Sequence, residues 1–102
     1  MKKVFICSPY RNDDEDIKLW NEEQARIYML KAFSSGYAPF VPHLLYTQVL
    51  TESADERCVG IEAGLKFLEV CDEIWVCGSD VTEGMQEEIK FAHENGVKVV
   101  RV

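Results

Sequence analysis

The stretch CDEIWVCGSDVTEGM, residues 71–85, contains the unit from which the fold can be inferred. Its apolar run from Glu73 to Cys77 predicts a strand, and Gly78-Ser79-Asp80 predicts the loop by which the chain leaves it. A helix is predicted from Thr82 to Asn95, with Thr82 as its N-cap, or Asp80 with Glu83 as its capping partner. A strand that leads directly into a helix is typical of α/β domains.

The chain continues this alternation on both sides of the stretch. Further strands are predicted at 3–7, 38–41 and 97–102, and further helices at about 15–35 and 53–70. The first strand lacks polar alternation, which predicts burial on both faces. The segment 43–46, after Pro42, is predicted to be irregular. The predicted buried stripes are Ala25, Tyr28, Met29, Ala32 and Phe33 on the first helix, and Cys58, Ile61, Leu65 and Leu68 on the second.

Strands that alternate with helices predict parallel pairing through right-handed crossovers. We therefore expect one three-layer α/β/α domain over residues 1–102, with a short parallel sheet in the order 2-1-3-4 and a flavodoxin/Rossmann-like arrangement. In such sheets a ligand binds where the strand order reverses, at the carboxyl ends of strands. The loops at that point are Ser8–Arg11 and Gly78–Thr82.

Composition narrows the class of protein. The 102 residues suffice for one core, and 47% hydrophobic with 28% charged residues is typical of globular chains. The apolar runs are too short for a membrane span or a signal peptide, so we expect no membrane association and no export. The four cysteines lie in apolar settings without CxxC spacing, which predicts reduced core thiols and a cytoplasmic protein. A net charge of −7 argues against a polymeric nucleic-acid partner.

Glu88 is the candidate catalytic carboxylate. On a wheel of about 100° per residue, Met85, Ile89 and Ala92 define the buried stripe of the third helix, and Glu88 lies about 60° from its centre. Glu87 points roughly the opposite way. Glu88 is therefore either a boundary residue or a site residue.

Other candidates have two interpretations each. Gly84 either joins loop to helix or leaves room for a ligand beside the unpaired amides of the first turn. The hydroxyl of Thr82 either caps the helix or also contacts a ligand. Tyr10 and Arg11 offer a phenol and a planar cation, or belong to a solvated loop in which Arg11 pairs with nearby acids. His43, after the second strand, is either structural or on the rim of the cleft.

Several site classes lack their motifs. No second His or Cys stands at metal-ligand spacing from His43, so no metal site is predicted. The segment 7–11 is too short for a cysteine phosphatase loop, and no G-x-G-x-x-G or Walker pattern is present. No cofactor is predicted.

The motifs in chain order are SPYR at 8–11, PFVPHLL at 39–45, CDEIWV at 71–76 and EGMQEE at 83–88. Their order and spacing resemble the nucleoside 2-deoxyribosyltransferase-like superfamily, and most closely a short bacterial and phage branch related to the deoxynucleoside 5′-monophosphate N-glycosidases. The resemblance spans nearly the whole chain. It implies a small-molecule nucleoside or nucleotide as ligand and a homodimer or higher homo-oligomer.

The resemblance also implies residue roles. Gly84, Glu88 and Ala92 reproduce a spacing in which the glutamate attacks or stabilises the anomeric carbon of the sugar, and Tyr10 falls in a loop that supplies a tyrosine close to that carboxylate. Such relatives carry an acid eight residues before the aspartate that begins the third strand. Here that position is Gly64, and Glu62 lies roughly 200° away on the helix.

Two functions are therefore expected. The first is N-glycosidic bond cleavage or deoxyribosyl transfer, because a carboxylate stabilises or traps the positive charge that develops on the sugar. The second is a catalytically silent nucleotide-binding module, which the missing acid at Gly64 favours. The predicted catalytic residues are Glu88 and Tyr10, and the predicted binding residues are Ser8, Pro9, Arg11, His43, Gly78, Asp80, Thr82, Gly84 and Met85.

Overall fold

Four parallel strands form a sheet in the order β2-β1-β3-β4, which confirms the predicted topology. They are β1 (Lys3–Cys7), β2 (Ala38–Phe40), β3 (Glu73–Val76) and β4 (Lys98–Arg101). The computed structural model describes all residues from 1 to 102. The reversal of strand order lies between β1 and β3, so their carboxyl ends open a crevice between the loops that follow them.

The helices are α1 (Glu15–Ser34), α2 (Pro42–Leu45), α3 (Ala54–Leu68) and α4 (Glu83–Glu94), with a 3₁₀ turn at Tyr46–Gln48. Three of them begin at a capping side chain that accepts a backbone N–H bond: Asp14, Ser53 and Thr82. Thr82, and not Asp80, therefore caps α4.

The predicted irregular segment at 43–46 is wrong, because Pro42 begins the short helix α2 there. Proline suits the first helical position, where its fixed φ is already helical and the N–H that it lacks would have no partner. Four residues are too few to show a helical period, which is why the sequence pattern missed this element.

The strands divide the core between two faces of the sheet. Val4 and Ile6 of β1 pack with Ala25 and Ala32 of α1, whereas Phe5 and Cys7 point to the other face. That second face is covered by α3 and α4, whose buried residues include Leu68, Met85 and Ala92. The arrangement is the predicted three-layer α/β/α fold, and Cys7 lies beneath α4.

Two of the predicted helix stripes need correction. Phe33 is exposed although Ala32 is buried, because consecutive helical residues lie about 100° apart and α1 faces the sheet through small alanines. On α3 the buried face contains Gly64 and Leu68, which leaves Cys58 exposed. Cys58 is therefore not a core thiol, whereas the other three cysteines are buried and unpaired.

None of the helices has both the length and the apolar character needed to cross a membrane.

Candidate active site

A cavity of about 620 Å³ opens at the carboxyl ends of the strands. The loop after β1, α2 with the following 3₁₀ turn, α3 and the first turns of α4 form its walls, and Lys18 of α1 reaches its rim. Lys18 and Arg57 both line the cavity although they are nearly forty positions apart in the sequence. The cavity therefore forms only when the sheet brings these distant segments together. The predicted site residues that line it are Ser8, Tyr10, Arg11, His43, Thr82, Gly84, Met85 and Glu88.

The N-terminus of α4 presents open backbone to this cavity. The Oγ1 of Thr82 accepts a bond from the Met85 amide at 3.3 Å, so the amides of Glu83 and Gly84 remain without a partner in the helix. A Cβ built on Gly84 would meet no atom within 4 Å. A ligand can therefore approach these amides closely. Because they lie at the positive end of the α4 dipole, they favour an anionic or polar group.

Glu88 follows Gly84 by one turn of α4 and lies against Cys7 of β1. Burial raises the pKa of the Glu88 carboxyl to about 7, the nearby Cys7 thiol works in the opposite direction, and the charge of Glu87 adds a further rise. The Cys7 thiol itself donates to the backbone oxygen of Met85 at 3.9 Å. The pKa of Cys7 is raised in turn by burial and by the Glu88 charge, so the thiol stays protonated. Near neutral pH the carboxyl is present in both its protonated and its ionised form.

Ser8 contributes a buried hydroxyl to the same cavity. The residue is only 1% exposed, and its Oγ has no hydrogen-bond partner in the protein. Buried polar groups without a partner are uncommon, because each costs about 1–3 kcal/mol relative to hydration. A ligand hydroxyl or phosphate oxygen in the cavity would satisfy this group.

His43 joins α2 to the loop after β1. Its Nε2 lies 2.9 Å from the backbone oxygen of Ser8, and burial lowers its pKa to about 4. The neutral ring therefore carries its proton on Nε2 and donates it to the Ser8 carbonyl. The ring also stacks on Tyr10, with centroids 5.0 Å apart and planes at 18°. His43 thus supports the tyrosine as well as the strand end.

Tyr10 lines the same cavity as Glu88, and its hydroxyl is bonded to a residue of α1. Its hydroxyl donates to Glu22 of α1 at 3.2 Å, and the Asn21 amide holds its backbone oxygen at 3.0 Å. Burial raises the pKa of Tyr10, and Glu22 raises it further. No pattern in the sequence singled out Glu22, because a glutamate in the middle of a long polar helix looks like a solvated residue.

The α3 wall was also missed by sequence reasoning. Arg57, Gly60 and Gly64 follow one another at helical spacing along the face of α3 that lines the cavity. A Cβ on Gly64 would lie 4.0 Å from Pro42 Cβ, an ordinary contact, so the wall has room for a side chain that the protein does not have. The position at which the resemblance expected an acid therefore carries no side chain.

The cations around the cavity differ in their pairing. Lys18 bridges Glu15 and Glu52 at 3.3 and 3.1 Å, whereas Arg11 and Arg57 have no carboxylate within 4.0 Å. The acids near Arg11 in sequence thus do not pair with it. Both guanidinium groups remain available to a ligand, and only Arg11 was predicted from the loops.

Three predicted binding residues lie outside the cavity lining: Pro9, Gly78 and Asp80. Gly78 adopts a φ of +95°, which favours glycine, and a Cβ there would lie 3.5 Å from the Pro9 ring. Its carbonyl accepts a bond from Arg101 at 2.9 Å. Contact between these two loops shapes the end of the sheet beside the cavity.

Comparison with known proteins supplies a family and a fold. A family model described as "Domain of unknown function (DUF7768)" matches residues 2–102. No curated protein matches the chain by sequence. A solved structure of a 2-deoxyribosyltransferase from the psychrotolerant bacterium Bacillus psychrosaccharolyticus is similar with a TM-score of 0.72 at 16% identity, and the match covers 97% of this chain and 70% of that one. That enzyme is described as a biocatalyst for the synthesis of antiviral and antitumoral nucleosides.

Proposed function

Because the chain belongs to the family described as "Domain of unknown function (DUF7768)", we propose its function from its own site: cleavage of the N-glycosidic bond of a nucleoside or nucleotide, with Glu88 as the nucleophile. The observation that carries the proposal is the Glu88 carboxyl, withdrawn from water beside an open cavity at the switch in strand order. The fold shared with a 2-deoxyribosyltransferase supports the same class of substrate.

The proposed mechanism depends on the positive charge that the sugar acquires during bond cleavage. As the bond between the base and the anomeric carbon breaks, positive charge develops on the sugar ring. The ionised Glu88 carboxylate then stabilises this charge or forms an ester with the anomeric carbon, and an environment poor in water strengthens the attraction. Water releases the sugar in a hydrolase, whereas a second base accepts it in a transferase.

The remaining groups of the cavity would hold the substrate. The free amides at the start of α4, the Ser8 hydroxyl and the Arg11 guanidinium are donors suited to sugar hydroxyls and to a phosphate. The aromatic face of Tyr10, supported by His43, is suited to a planar base. We assign the whole chain to one nucleoside 2-deoxyribosyltransferase-like domain that acts in the cytoplasm on small molecules and not on polymeric nucleic acid.

We also assign a homodimer or higher homo-oligomer. Large apolar side chains lie exposed on the outer side of α1, including Trp20 at 62% and Leu30 at 65% exposure. Several large apolar side chains exposed on one side of a helix favour a protein interface there. A second copy of the chain would cover it.

A silent nucleotide-binding module is the second candidate, and two observations favour it. Gly64 provides no acid on the α3 wall, and the Tyr10 hydroxyl is bonded to Glu22. Such a module would use the same donors to sense or sequester a nucleotide without breaking it.

The test is a chromatographic assay of base release from a panel of nucleosides and 5′-monophosphates, in ribose and deoxyribose forms. Glu88→Gln should lower base release by several orders of magnitude while leaving ligand binding, because the amide keeps the shape but cannot form the sugar ester. The matched control is Glu87→Gln, since Glu87 is the adjacent, exposed glutamate. Full activity of Glu88→Gln contradicts the mechanism, and tight binding without any base release favours the silent module.

A further inference from the structure

Breaking an N-glycosidic bond to a neutral base creates a problem of proton supply at the leaving nitrogen. A neutral base departs as an anion unless an acid protonates it, and a positioned general acid contributes about 10²–10⁴-fold to such steps. Cleavage of a neutral base therefore requires a side chain in the cavity that carries a transferable proton and is free to give it. This inference rests on the proposed function.

The two aromatic candidates, His43 and Tyr10, already donate their protons in hydrogen bonds within the protein. His43 is neutral, with a pKa lowered to about 4, and its one N–H is donated to the Ser8 carbonyl. The hydroxyl of Tyr10 is donated to Glu22, and its raised pKa makes the phenol a poor acid. Neither ring can protonate a leaving base while these two hydrogen bonds are present.

The carboxyl groups of the lining are no better placed as acids. Glu52 is ion-paired with Lys18, and Glu56 accepts a bond from the Thr51 hydroxyl that holds its pKa below the usual range. Glu83 lies exposed at the rim. Lys18 is held by two carboxylates, which raise its pKa and make it a weaker acid.

Arg11 and Arg57 cannot act as proton donors, since guanidinium groups do not lose a proton in proteins. The wall that could have held an acid is formed instead by Gly60 and Gly64. Only Glu88 remains, and one carboxyl group cannot stabilise the sugar cation as an ionised group while it protonates the base.

We infer that the substrate of this site is an N-glycoside whose base already carries a positive charge on the glycosidic ring system, such as a pyridinium or N7-alkylated purine nucleoside or nucleotide. When the bond between the anomeric carbon and nitrogen breaks, its electron pair returns to the ring and neutralises that charge. The base leaves as a neutral molecule and needs no proton. Glu88 bonds to the anomeric carbon, water then replaces it there, and one proton passes to solvent.

The charges and aromatic faces of the cavity suit such a base. Its lining carries four carboxyl groups, Glu52, Glu56, Glu83 and Glu88, against three cations, Arg11, Lys18 and Arg57, in a chain of net charge −7. A bound cation also favours the ionised form of Glu88, which is the form that attacks. The rings of Tyr10 and Tyr46 supply aromatic faces, and a planar cation is attracted to such faces.

The test uses two probes that differ by one methyl group and one charge: 7-methylguanosine 5′-monophosphate and guanosine 5′-monophosphate, each in ribose and 2′-deoxyribose form. Base release is followed by chromatography and expressed as acceleration over the uncatalysed rate of the same compound, because the charged compound is intrinsically less stable. We expect the acceleration to be about 10²-fold or more greater for the methylated probe. Its rate should rise with pH through the ionisation of Glu88 and then stay level.

A second variant places an acid on the empty wall. A Cβ at position 64 makes only an ordinary contact with Pro42, so we expect the backbone to accept Gly64→Asp without a shift. It should raise base release from guanosine 5′-monophosphate by about 10²-fold and leave the methylated probe nearly unchanged, since only the neutral base needs the proton. Gly64→Asn is the matched control, with the same shape and no acid.

The outcomes separate the inference from the proposed function. Equal acceleration of both probes, with dependence on Glu88, overturns the charged-base inference and leaves N-glycosidase activity standing. A gain with both Gly64 variants, or with neither, also overturns the inference. Release of base from neither probe, nor from the wider panel, overturns the inference and the proposed function together.

Discussion

Glu88 is maintained at a cost to the stability of the fold. A glutamate whose pKa is raised by burial binds its proton more tightly in the folded chain than in the unfolded one. Between the ordinary pKa of 4.5 and the folded value of about 7, the folded state holds more protons, so its stability falls as pH rises through this range. Above that range the buried charge remains as a penalty, as is common for functional groups.

Glu88→Gln should therefore stabilise the protein at pH 8 and have little effect at pH 5. The amide removes the buried charge that the carboxylate must bear at high pH, and the expected gain in the free energy of unfolding is on the order of 3 kcal/mol. Thermal or denaturant unfolding of both proteins at the two pH values measures it. A gain of the same size at pH 5 would mean that packing, and not charge, is responsible.

Arg11→Ala should weaken the binding of a 5′-nucleotide more than that of the matching nucleoside. The guanidinium has no carboxylate partner and lines the cavity, so a phosphate would be its natural ligand. We expect a loss of about tenfold or more for the nucleotide, measured by calorimetric titration. Arg26→Ala is the control, because Arg26 is paired with Glu23 on α1. Equal losses for nucleotide and nucleoside would argue against an anion-binding role.

Local pattern predicted some of these residues well and others not at all. The helical wheel placed Glu88 at the edge of the buried face, and capping preference found Thr82, because both depend on neighbours within a few residues. The bond from Tyr10 to Glu22 and the position of Arg57 depend on how α1 and α3 pack against the sheet. No spacing along the chain encodes such contacts.

Among the elements, α2 shows how a short segment acquires a defined place. Four residues cannot hold a helix by propensity alone. The bond from His43 to the Ser8 carbonyl and the stacking on Tyr10 fasten it to the end of β1 instead. This anchoring also positions Pro42 beside Gly64 of α3.

His43 should consequently remain neutral well below the usual pH for histidine. Because the unfolded chain binds a proton near the ordinary histidine pKa of 6.5 and the folded chain only near 4, stability is full above 6.5 and falls as the pH drops toward 4. The expected loss is on the order of 3 kcal/mol. Titration of the His43 imidazole signals by NMR measures the pKa.

A titration midpoint for His43 close to the ordinary histidine value of 6.5 would show that the ring is solvated and that α2 is not held by it. His43→Asn supplies the complementary measurement, since its side chain does not titrate. The loss of stability between pH 6.5 and 4 should be smaller in that variant than in the natural chain.

For the whole molecule, the alternation of strands and helices was sufficient to predict the sheet order and the layers. Right-handed parallel crossovers leave few topologies for four strands. They also place every strand-to-helix loop at the carboxyl end of the sheet, so the location of the site could be predicted too. The α3 wall of the cavity could not be predicted in this way. Apolar spacing placed Cys58 on the buried face of α3, whereas Gly64 lies there beside the predicted Leu68. Glycines give no hydrophobic signal, although here they create the volume of the site.

The outer side of α1 should be an interface between copies of the chain. Trp20, Ile27 and Leu30 lie within about 40° of the side opposite the buried Ala25, so they share the outer side of α1, together with the exposed Glu23. Burial of such side chains contributes about 25 cal/mol per Å² of apolar area, which favours association. Trp20→Glu combined with Leu30→Glu should convert an oligomer to a monomer in size-exclusion chromatography with light scattering. Val70→Glu is the control, because Val70 is 57% exposed and follows α3, in the layer on the other face of the sheet. A natural chain that is monomeric at high concentration, or an equal effect of the control, would contradict this assignment.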